Sequence, residues 1–154
     1  MGLRERITAE MKTAMKARDA TRLSALRLIL AGIQEKDNAQ KTGVAGIGDD
    51  EILSLLAKMI KQREESASVY AQAGRTDLET IERGEIAVIR EFMPRQLSEA
   101  ETRAEVVKTV GELGAGSMKD MGRVMAALKE RHSGAMDFAK AGAIVKELLT
   151  PAKV

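Results

Sequence analysis

The sequence predicts an all-α protein. Apolar side chains recur every three or four residues over most of the 154 positions, which is the spacing of one helix face. Hydrophobic residues make up 44% of the chain, but aromatic residues only 2%, namely Tyr70, Phe92 and Phe138. The core must therefore consist of aliphatic side chains and Met, a composition that suits interlocking helices better than sheets.

Pro94 divides the predicted helices into two groups. A proline forces the residue before it out of helical geometry, so the helix that precedes it should end near Met93. We therefore expect two domains, a helical bundle or hairpin unit over 1–94 and a small three-helix domain over 95–154.

The first two predicted helices have one apolar face each. In the helix from Leu3 to about Ala17 that face consists of Leu3, Ile7, Met11 and Met15. Asp19 is placed to cap the second helix, whose inward residues are Leu23, Leu26, Leu30 and Ile33. The glycines Gly43, Gly46 and Gly48 then predict a loop over 38–48.

The next two helices should form a hairpin. Asp49, Asp50 and Glu51 favour a helix start, Gly74 supplies the left-handed turn, and Asp77 is a candidate cap for the returning helix. The inward residues are Ile52, Leu56, Met59, Ala67 and Tyr70, then Leu78, Ile81, Val88, Ile89 and Phe92. Arg63 falls among the first set and Glu85 among the second, with Glu82 at its edge. An unpaired buried charge is costly, so we predict that Arg63 pairs with Glu85 and consider Glu82 as a further partner.

Three helices are predicted after Pro94. Ser98 and Glu101 form a capping box, and Ser117 and Asp137 are candidate caps for the two helices that follow. The inward positions are Val106, Val107, Val110 and Leu113, then Met118, Met121, Val124, Met125 and Leu128, then Phe138, Ala141, Val145, Leu148 and Leu149.

Charge and cysteine content narrow the class of protein. The net charge is +2 and there is no cysteine, so neither a polyanion-binding field over the whole chain nor a disulfide framework is indicated. Charges alternate near the amino terminus where a secretory signal needs an apolar run, and no apolar run approaches the length of a membrane span. We therefore expect a cytoplasmic location and no membrane partner.

The sequence offers no convincing catalytic or metal site. Its one histidine, His132, lies at a helix end, where a capping role is the simpler interpretation. Glu64, Glu65, Glu82 and Glu85 are interleaved with Lys61, Arg63 and Arg75, which favours ion pairs over a metal site. We predict no catalytic residue, no metal and no cofactor.

A binding surface is the stronger candidate. Lys119 and Arg123 lie one helical turn apart on the predicted outer face, and Gly122 leaves room for a bulky partner. Two cations at that spacing could contact adjacent phosphates of a nucleic acid, and Lys140 and Lys146 on the last helix could extend the patch. An ordinary solvated helix face is the alternative.

Two sets of residues in this sequence form recognisable motifs. The first set comprises Lys61, Gln62, Arg63, Ser66, Tyr70, Gly74, Arg75, Asp77, Glu82, Glu85 and Pro94. The second is Met121-Gly122-Arg123-Val124-Met125, followed by Gly134-x-x-Asp137 and Ile144-Val145-Lys146-x-x-Leu149. Both sets resemble the GatB/YqeY family, whose C-terminal domain is similar to the tail of the B subunit of tRNA-dependent amidotransferase. The resemblance implies that the segment after Pro94 contacts tRNA, while the catalytic domain of that enzyme has no counterpart here.

The leading hypothesis is a non-catalytic protein whose C-terminal helices bind tRNA or a tRNA-processing assembly. One alternative is an accessory component of tRNA-dependent amidotransfer, in which glutamine is the nitrogen donor and partners carry out the chemistry. The other is a protein–protein adaptor that uses the region of Arg63, Tyr70 and Arg75 without nucleic acid. The sequence does not determine the oligomeric state.

Overall fold

The computed structural model describes residues 2–40 and 46–151, and over these ranges it confirms the all-α prediction. The helices are α1 (Leu3–Ala17), α2 (Ala20–Ala39), α3 (Asp49–Gln72), α4 (Thr76–Arg90), α5 (Glu99–Leu113), a 3-10 turn (Met118–Asp120), α6 (Met121–Arg131) and α7 (Phe138–Leu149). Contacts group them into two compact units, Met1–Met93 and Pro94–Val154. That these units are separate domains over 1–94 and 95–154 stays a prediction.

The N-terminal unit consists of α1 to α4 around an aliphatic core. The most deeply buried large side chains are Ile7, Leu26, Ile29, Ile33, Ile52, Leu56 and Ile89. Asp19 caps α2 as predicted, accepting a hydrogen bond of 3.1 Å from the Arg22 backbone N–H. The Asp37 carboxylate binds the Arg4 guanidinium at 2.7 and 2.9 Å and the Ile47 N–H at 2.8 Å, which ties α1 to both ends of the connection between α2 and α3.

Two predicted core positions of the N-terminal unit are exposed. Met15 is 48% exposed because α1 buries Ala14 instead and ends two residues after Met15, at Ala17, before the left-handed Arg18. Ile81 is 55% exposed because the deepest burial in α4 begins only at Ile86. The predicted loop over 38–48 begins later than expected, since α2 continues to Ala39. Gly43 of that loop lies outside the described residues.

The turn between α3 and α4 differs from the prediction at its cap. Gly74 adopts the expected left-handed conformation, with φ of 71°. Asp77 does not cap α4, since Arg75 occupies the cap position and binds the Asp77 carboxylate at 3.1 and 3.2 Å. A two-pronged contact with a guanidinium is stronger than a single N–H contact, which explains the preference. At its other end α4 stops at Arg90, three residues before Met93.

The C-terminal unit packs α5, α6 and α7 around one core. Its fully buried side chains include Val106, Thr109, Val124, Leu128 and Val145. The capping box of Ser98 and Glu101 is present, and Asp137 caps α7 by accepting from the N–H groups of Ala139 and Lys140.

Three predicted core residues of the C-terminal unit are exposed, namely Val107, Met118 and Leu148. On the inward face of α5, Thr109 is buried in place of Val107, because Thr102, Val106 and Thr109 follow the helical spacing. Met118 lies in the 3-10 turn rather than in the predicted helix, since α6 begins only at Met121. Leu148 lies next to the buried Leu149 at the end of α7.

Candidate nucleic-acid interface

The two units differ in net charge. The segment from Pro94 onward contains ten Lys and Arg residues against eight Asp and Glu residues, whereas the segment before it contains fifteen of each. The whole net charge of +2 therefore belongs to the C-terminal unit. A phosphate-binding surface, if the chain has one, is expected there.

Arginine and lysine have separate roles in the C-terminal unit. Each arginine binds a carboxylate, in the pairs Arg95–Glu101, Arg103–Glu147, Arg123–Asp120 and Arg131–Glu112. Within residues 94–151 the exposed lysines are Lys108, Lys119, Lys129, Lys140 and Lys146, and none of them forms an ion pair with a described residue. The positive charge available to a partner is therefore carried mainly by lysine.

Arg123 is exposed, as the prediction requires, but its charge is partly offset. Its Nε lies 3.0 Å from Asp120 Oδ1. The same carboxylate accepts the Gly116 N–H at 2.9 Å, and this bond, followed by the one from Arg123, lowers the pKa of Asp120. Arg123 thus stabilises the start of α6 and contributes less to a phosphate site than an unpaired cation would.

Lys119 lies in the 3-10 turn near the end of α7. The neighbouring Met118 sulfur is 3.9 Å from the Thr150 hydroxyl, which in turn donates to the carbonyl of Lys146. These contacts place the backbone of Lys119 beside the last turn of α7. Lys119 and Lys146 therefore belong to the same end of the α6–α7 pair.

Lys140 and Lys146 do not share a face of α7. Positions six residues apart in an α-helix point about 120° away from each other around the helix axis, so the two side chains diverge. Lys146 is one turn after Gly142, where an added β-carbon would lie 3.8 Å from the Met125 methyl of α6. Lys140 is two turns before Glu147, which pairs with Arg103 of α5. Lys146 therefore lies toward α6, and Lys140 toward α5.

Lys129 was not among the residues that the sequence predicted for this site. It is exposed one turn after Met125, on the edge of α6 that meets α7, and seven residues after Gly122. That seven-residue spacing on one helix face was the available signal. We call the surface formed by Lys119, Gly122, Lys129 and Lys146 the lysine face.

The lysine face suits phosphate better than bases. Nothing lies within 4 Å of a β-carbon added at Gly122, so a bulky ligand can approach the backbone closely. Lysine acts as a compact point charge toward phosphate, whereas reading a base edge usually needs a planar donor such as Arg or Asn. The one aromatic residue of this unit, Phe138, is partly buried against the core and is not displayed for stacking.

The ion pair predicted inside the hairpin of the N-terminal unit is confirmed. Arg63 Nε lies 2.8 Å from Glu85 Oε2, and the two side chains are 16% and 18% exposed. A second guanidinium nitrogen of Arg63 donates to the carbonyl of Met59 at 3.2 Å. Glu82, the further partner considered, is not within ion-pair distance of Arg63.

The remaining motif residues of the hairpin lie along α3 and at the turn that leads into α4. Lys61 and Gln62 are exposed, Ser66 and Tyr70 are half-buried, and Arg75 and Asp77 bind each other at the turn. Pro94 follows the end of α4 and is the first residue of the C-terminal unit. Most of this motif therefore lies on one hairpin of the N-terminal unit.

His132 belongs to the packing of the C-terminal unit. Its Nε2 is buried 3.2 Å from Glu105 Oε2, and its backbone N–H bonds the Leu128 carbonyl at the end of α6. Within residues 2–40 and 46–151, no three His, Asp or Glu side chains converge as metal ligands would. In the same ranges, every helix is too short or too polar to cross a bilayer.

Comparison with known proteins identifies the family. The family model described as Yqey-like protein matches residues 4–149, which is nearly the whole chain. The chain belongs to this family. The match confirms the resemblance carried by the hairpin and α6–α7 motifs, including the family's relation to the amidotransferase B-subunit tail.

The curated relatives are fungal proteins named "Altered inheritance of mitochondria protein 41, mitochondrial". The relative from Pyrenophora tritici-repentis is 31% identical over 133 residues, which cover 82% of this chain and 71% of that protein. One from Lachancea thermotolerans is 32% identical over 107 residues, covering 68% and 56%. One from Saccharomyces cerevisiae S288c is 32% identical over 89 residues, covering 56% and 46%. The chain thus spans about half the length of the yeast relatives that it matches.

These names correct the predicted location. We expected a cytoplasmic protein, but the curated relatives are named as mitochondrial. The prediction failed because its observations, the lack of cysteine and of an apolar secretory run, argue only against the oxidising secretory route. They do not distinguish one reducing compartment from another.

Proposed function

We propose that the C-terminal unit binds the phosphate backbone of RNA through the lysine face, and that tRNA is the RNA class. The observation that carries the proposal is the separation of the two cation types. Carboxylates of the unit hold its arginines, and the exposed lysines are left for a partner. A folded RNA presents closely spaced phosphates that such lysines can contact.

The family relation supports tRNA as the ligand. The C-terminal domain of this family is similar to the tail of the amidotransferase B subunit, and this resemblance implies that the C-terminal unit helps to hold tRNA. The α6 segment with Gly122 and Arg123 and the α7 segment with Lys146 belong to the shared pattern. In this proposal the chain positions tRNA and performs no chemistry of its own.

The proposal is tested by the binding of labelled tRNA to the full chain at several salt concentrations. The tRNA pool should include mitochondrial tRNA, because the relatives' names refer to mitochondria. Three lysine contacts predict a loss of affinity of about 30-fold between roughly 50 and 200 mM salt. Lys129→Ala and Lys146→Ala should each weaken binding and make the salt dependence shallower by about one unit.

Lys140→Ala is the matched control for Lys146→Ala. Both replace an exposed lysine on α7, but Lys140 lies on the side toward α5. Equal losses for the two variants would contradict the lysine face and favour a diffuse attraction to the whole unit. Absence of binding at the lowest salt concentration would contradict the function itself.

The enzyme-class alternative is participation in tRNA-dependent amidotransfer as an accessory component. It shares the lysine face and adds a requirement for partner enzymes. In a reconstituted mixture, the glutamine-dependent conversion of mischarged tRNA should then slow when this chain is omitted. Unchanged conversion would leave tRNA binding as the better description.

An adaptor function without nucleic acid is favoured by one observation in the N-terminal unit. Val69 and Ile81 expose 62% and 55% of their surface on the hairpin that carries Tyr70 and Arg75. A protein partner bound there should remain bound after nuclease treatment and in the Lys146→Ala variant.

A further inference from the structure

One face of α3 carries a regular pattern of which only Leu55 packs, partly buried, against the core of its own chain. Leu55, Lys58, Gln62, Glu65 and Val69 follow one another at intervals of three, four, three and four residues. This is the spacing of a seam along which one helix packs on another. The core-facing residues of α3, which include Ile52, Leu56 and Ala67, form a different stripe.

A groove follows this face, which we call the heptad face. A cavity of about 340 Å³ lies between α2 and α3. Its α2 side is lined by Gly32, Glu35, Lys36 and Ala39, and its α3 side by Leu55, Lys58, Met59 and Gln62. A second cavity of about 430 Å³ continues from Gln62 past Glu65 to Val69. Gln62 lines both cavities, so they follow one another along about 21 Å of α3.

The groove is open and partly apolar. Val69 is 62% exposed at one end, and Leu28 of α2, one helical turn before Gly32, is 43% exposed beside the other. Gly32 of α2 and Leu55 of α3 approach closely, because a β-carbon added to Gly32 would lie 3.3 Å from a Leu55 methyl. The exposed Val69 on the α3 wall, with the exposed Leu28 nearby on α2, makes this groove a candidate surface for another helix.

The heptad face is complementary to the same face of a second copy of α3 that runs in the opposite direction. Leu55 is seven residues before Gln62 and Val69 seven after it, while Lys58 is four before and Glu65 three after. In an antiparallel pair with its axis at Gln62, Leu55 therefore meets Val69 of the second copy. Lys58 meets Glu65 of the second copy, and both contacts occur twice.

We propose that the heptad face is a homodimer interface, in which α3 of a second copy lies antiparallel in the groove. A two-fold axis makes such a contact self-complementary, and the two Gln62 amides at the axis can each donate and accept a hydrogen bond. Neither Lys58 nor Glu65 forms an ion pair with a described residue of its own chain, so both remain available. The polar centre between apolar ends fixes the register.

The proposal goes beyond RNA binding and is tested without RNA. Sedimentation equilibrium of the nuclease-treated full chain should show a reversible approach to twice its 16.7 kDa mass. The interface is small, so we expect a dissociation constant of about 10 to 100 μM at roughly 50 mM salt. A wild-type chain that stays at the mass of one copy up to about 500 μM would overturn the proposal.

Charge reversal gives the sharper test. Lys58→Glu and Glu65→Lys should each weaken the dimer by about tenfold or more, because each places like charges opposite one another twice. The double variant restores opposite charges and should regain most of the wild-type affinity. Lys12→Glu, at an exposed lysine on α1 outside the groove, is the matched control and should leave the dimer unchanged.

The double variant also separates the interface from a loss of folding. All three substituted positions are exposed, so circular dichroism should show the wild-type helix content for each variant. Two results would show that the second copy binds elsewhere. One is a dimer dissociation constant that neither single reversal changes, and the other is a double variant whose dimer is as weak as those of the single variants.

Discussion

The two units use ion pairs in different ways. In the N-terminal unit Arg63 and Glu85 meet between two helices and are largely removed from water. In the C-terminal unit Arg103 and Glu147 also join two helices, but their side chains are 48% and 62% exposed. The first pair must form for the hairpin to close, because a lone buried charge is costly, whereas the second can exchange its partner for water. In the sequence, Arg63 and Glu85 fall within the apolar faces of their helices, whereas Arg103 and Glu147 fall outside them.

Breaking each pair in turn should give the largest difference between the units. Arg63→Ala leaves Glu85 unpaired between α3 and α4, and we expect a loss of about 2 kcal/mol in the free energy of unfolding, less than for a fully buried pair. Arg103→Ala should cost less than about 0.5 kcal/mol, because its partner remains hydrated. Urea denaturation measures both values.

A double variant shows whether the buried pair itself stabilises the hairpin. Replacing both partners, as in Arg63→Met with Glu85→Met, removes the charges together and should restore stability to within about 1 kcal/mol of the wild type. If this double variant is less stable than Arg63→Ala alone, packing of the two side chains outweighs their charges. If Arg103→Ala costs as much as Arg63→Ala, exposure does not explain the difference between the pairs.

The sequence predicted features that depend on one helix and its nearest turn. The Arg63–Glu85 pair is of this kind, because angular position and a short connection fix which residues of α3 and α4 are opposite. The capping box at Ser98 was predictable for the same reason. In each case the two groups are linked by geometry that a helix or hairpin already imposes.

The sequence did not predict features that depend on competition or on a third element. Asp77 could have capped α4, but its carboxylate binds the guanidinium of Arg75, two residues away, which is a stronger partner than a backbone N–H. The sequence suggested that Lys140 and Lys146 form one patch. In the structure Lys140 lies toward α5 and Lys146 toward α6. Lys129 was missed because the family motif in α6 ends at Met125.

Caps of the two units give a smaller, more local comparison. Asp137 accepts hydrogen bonds of 3.0 and 3.2 Å from the first N–H groups of α7, so Asp137→Ala should lower the free energy of unfolding by about 1 kcal/mol. Asp77→Ala removes only an exposed contact with Arg75 and should change it by less than about 0.5 kcal/mol. Thermal or urea denaturation of both variants checks the assignment. A larger loss for Asp77→Ala would mean that Asp77 caps α4 after all.

The smallest expected effect concerns pH and the capping box of α5. The Arg95 guanidinium at 2.7 Å, followed by the Ser98 backbone N–H at 3.0 Å, lowers the pKa of Glu101 from 4.5 to about 2. A carboxyl whose pKa is lower in the folded state stabilises that state above its unfolded pKa and loses this contribution as the pH falls toward its folded pKa. The contribution of Glu101 should therefore be complete above about pH 5 and disappear between about pH 4.5 and 2.

Carboxyl NMR titration of Glu101 checks the value directly. Arg95→Ala removes the largest cause of the shift and should raise the pKa of Glu101 toward its ordinary value, while the weaker contact with the Ser98 N–H keeps it somewhat below 4.5. Glu101→Gln retains an acceptor for the Ser98 N–H but cannot titrate, so its stability should not show this pH dependence. The N-terminal unit offers a similar carboxylate, Asp37, whose pKa is lowered by Arg4 and by the Ile47 N–H. A Glu101 that titrates near 4.5 in the wild-type chain would contradict this prediction and show that the exposed guanidinium of Arg95 spends most of its time in water.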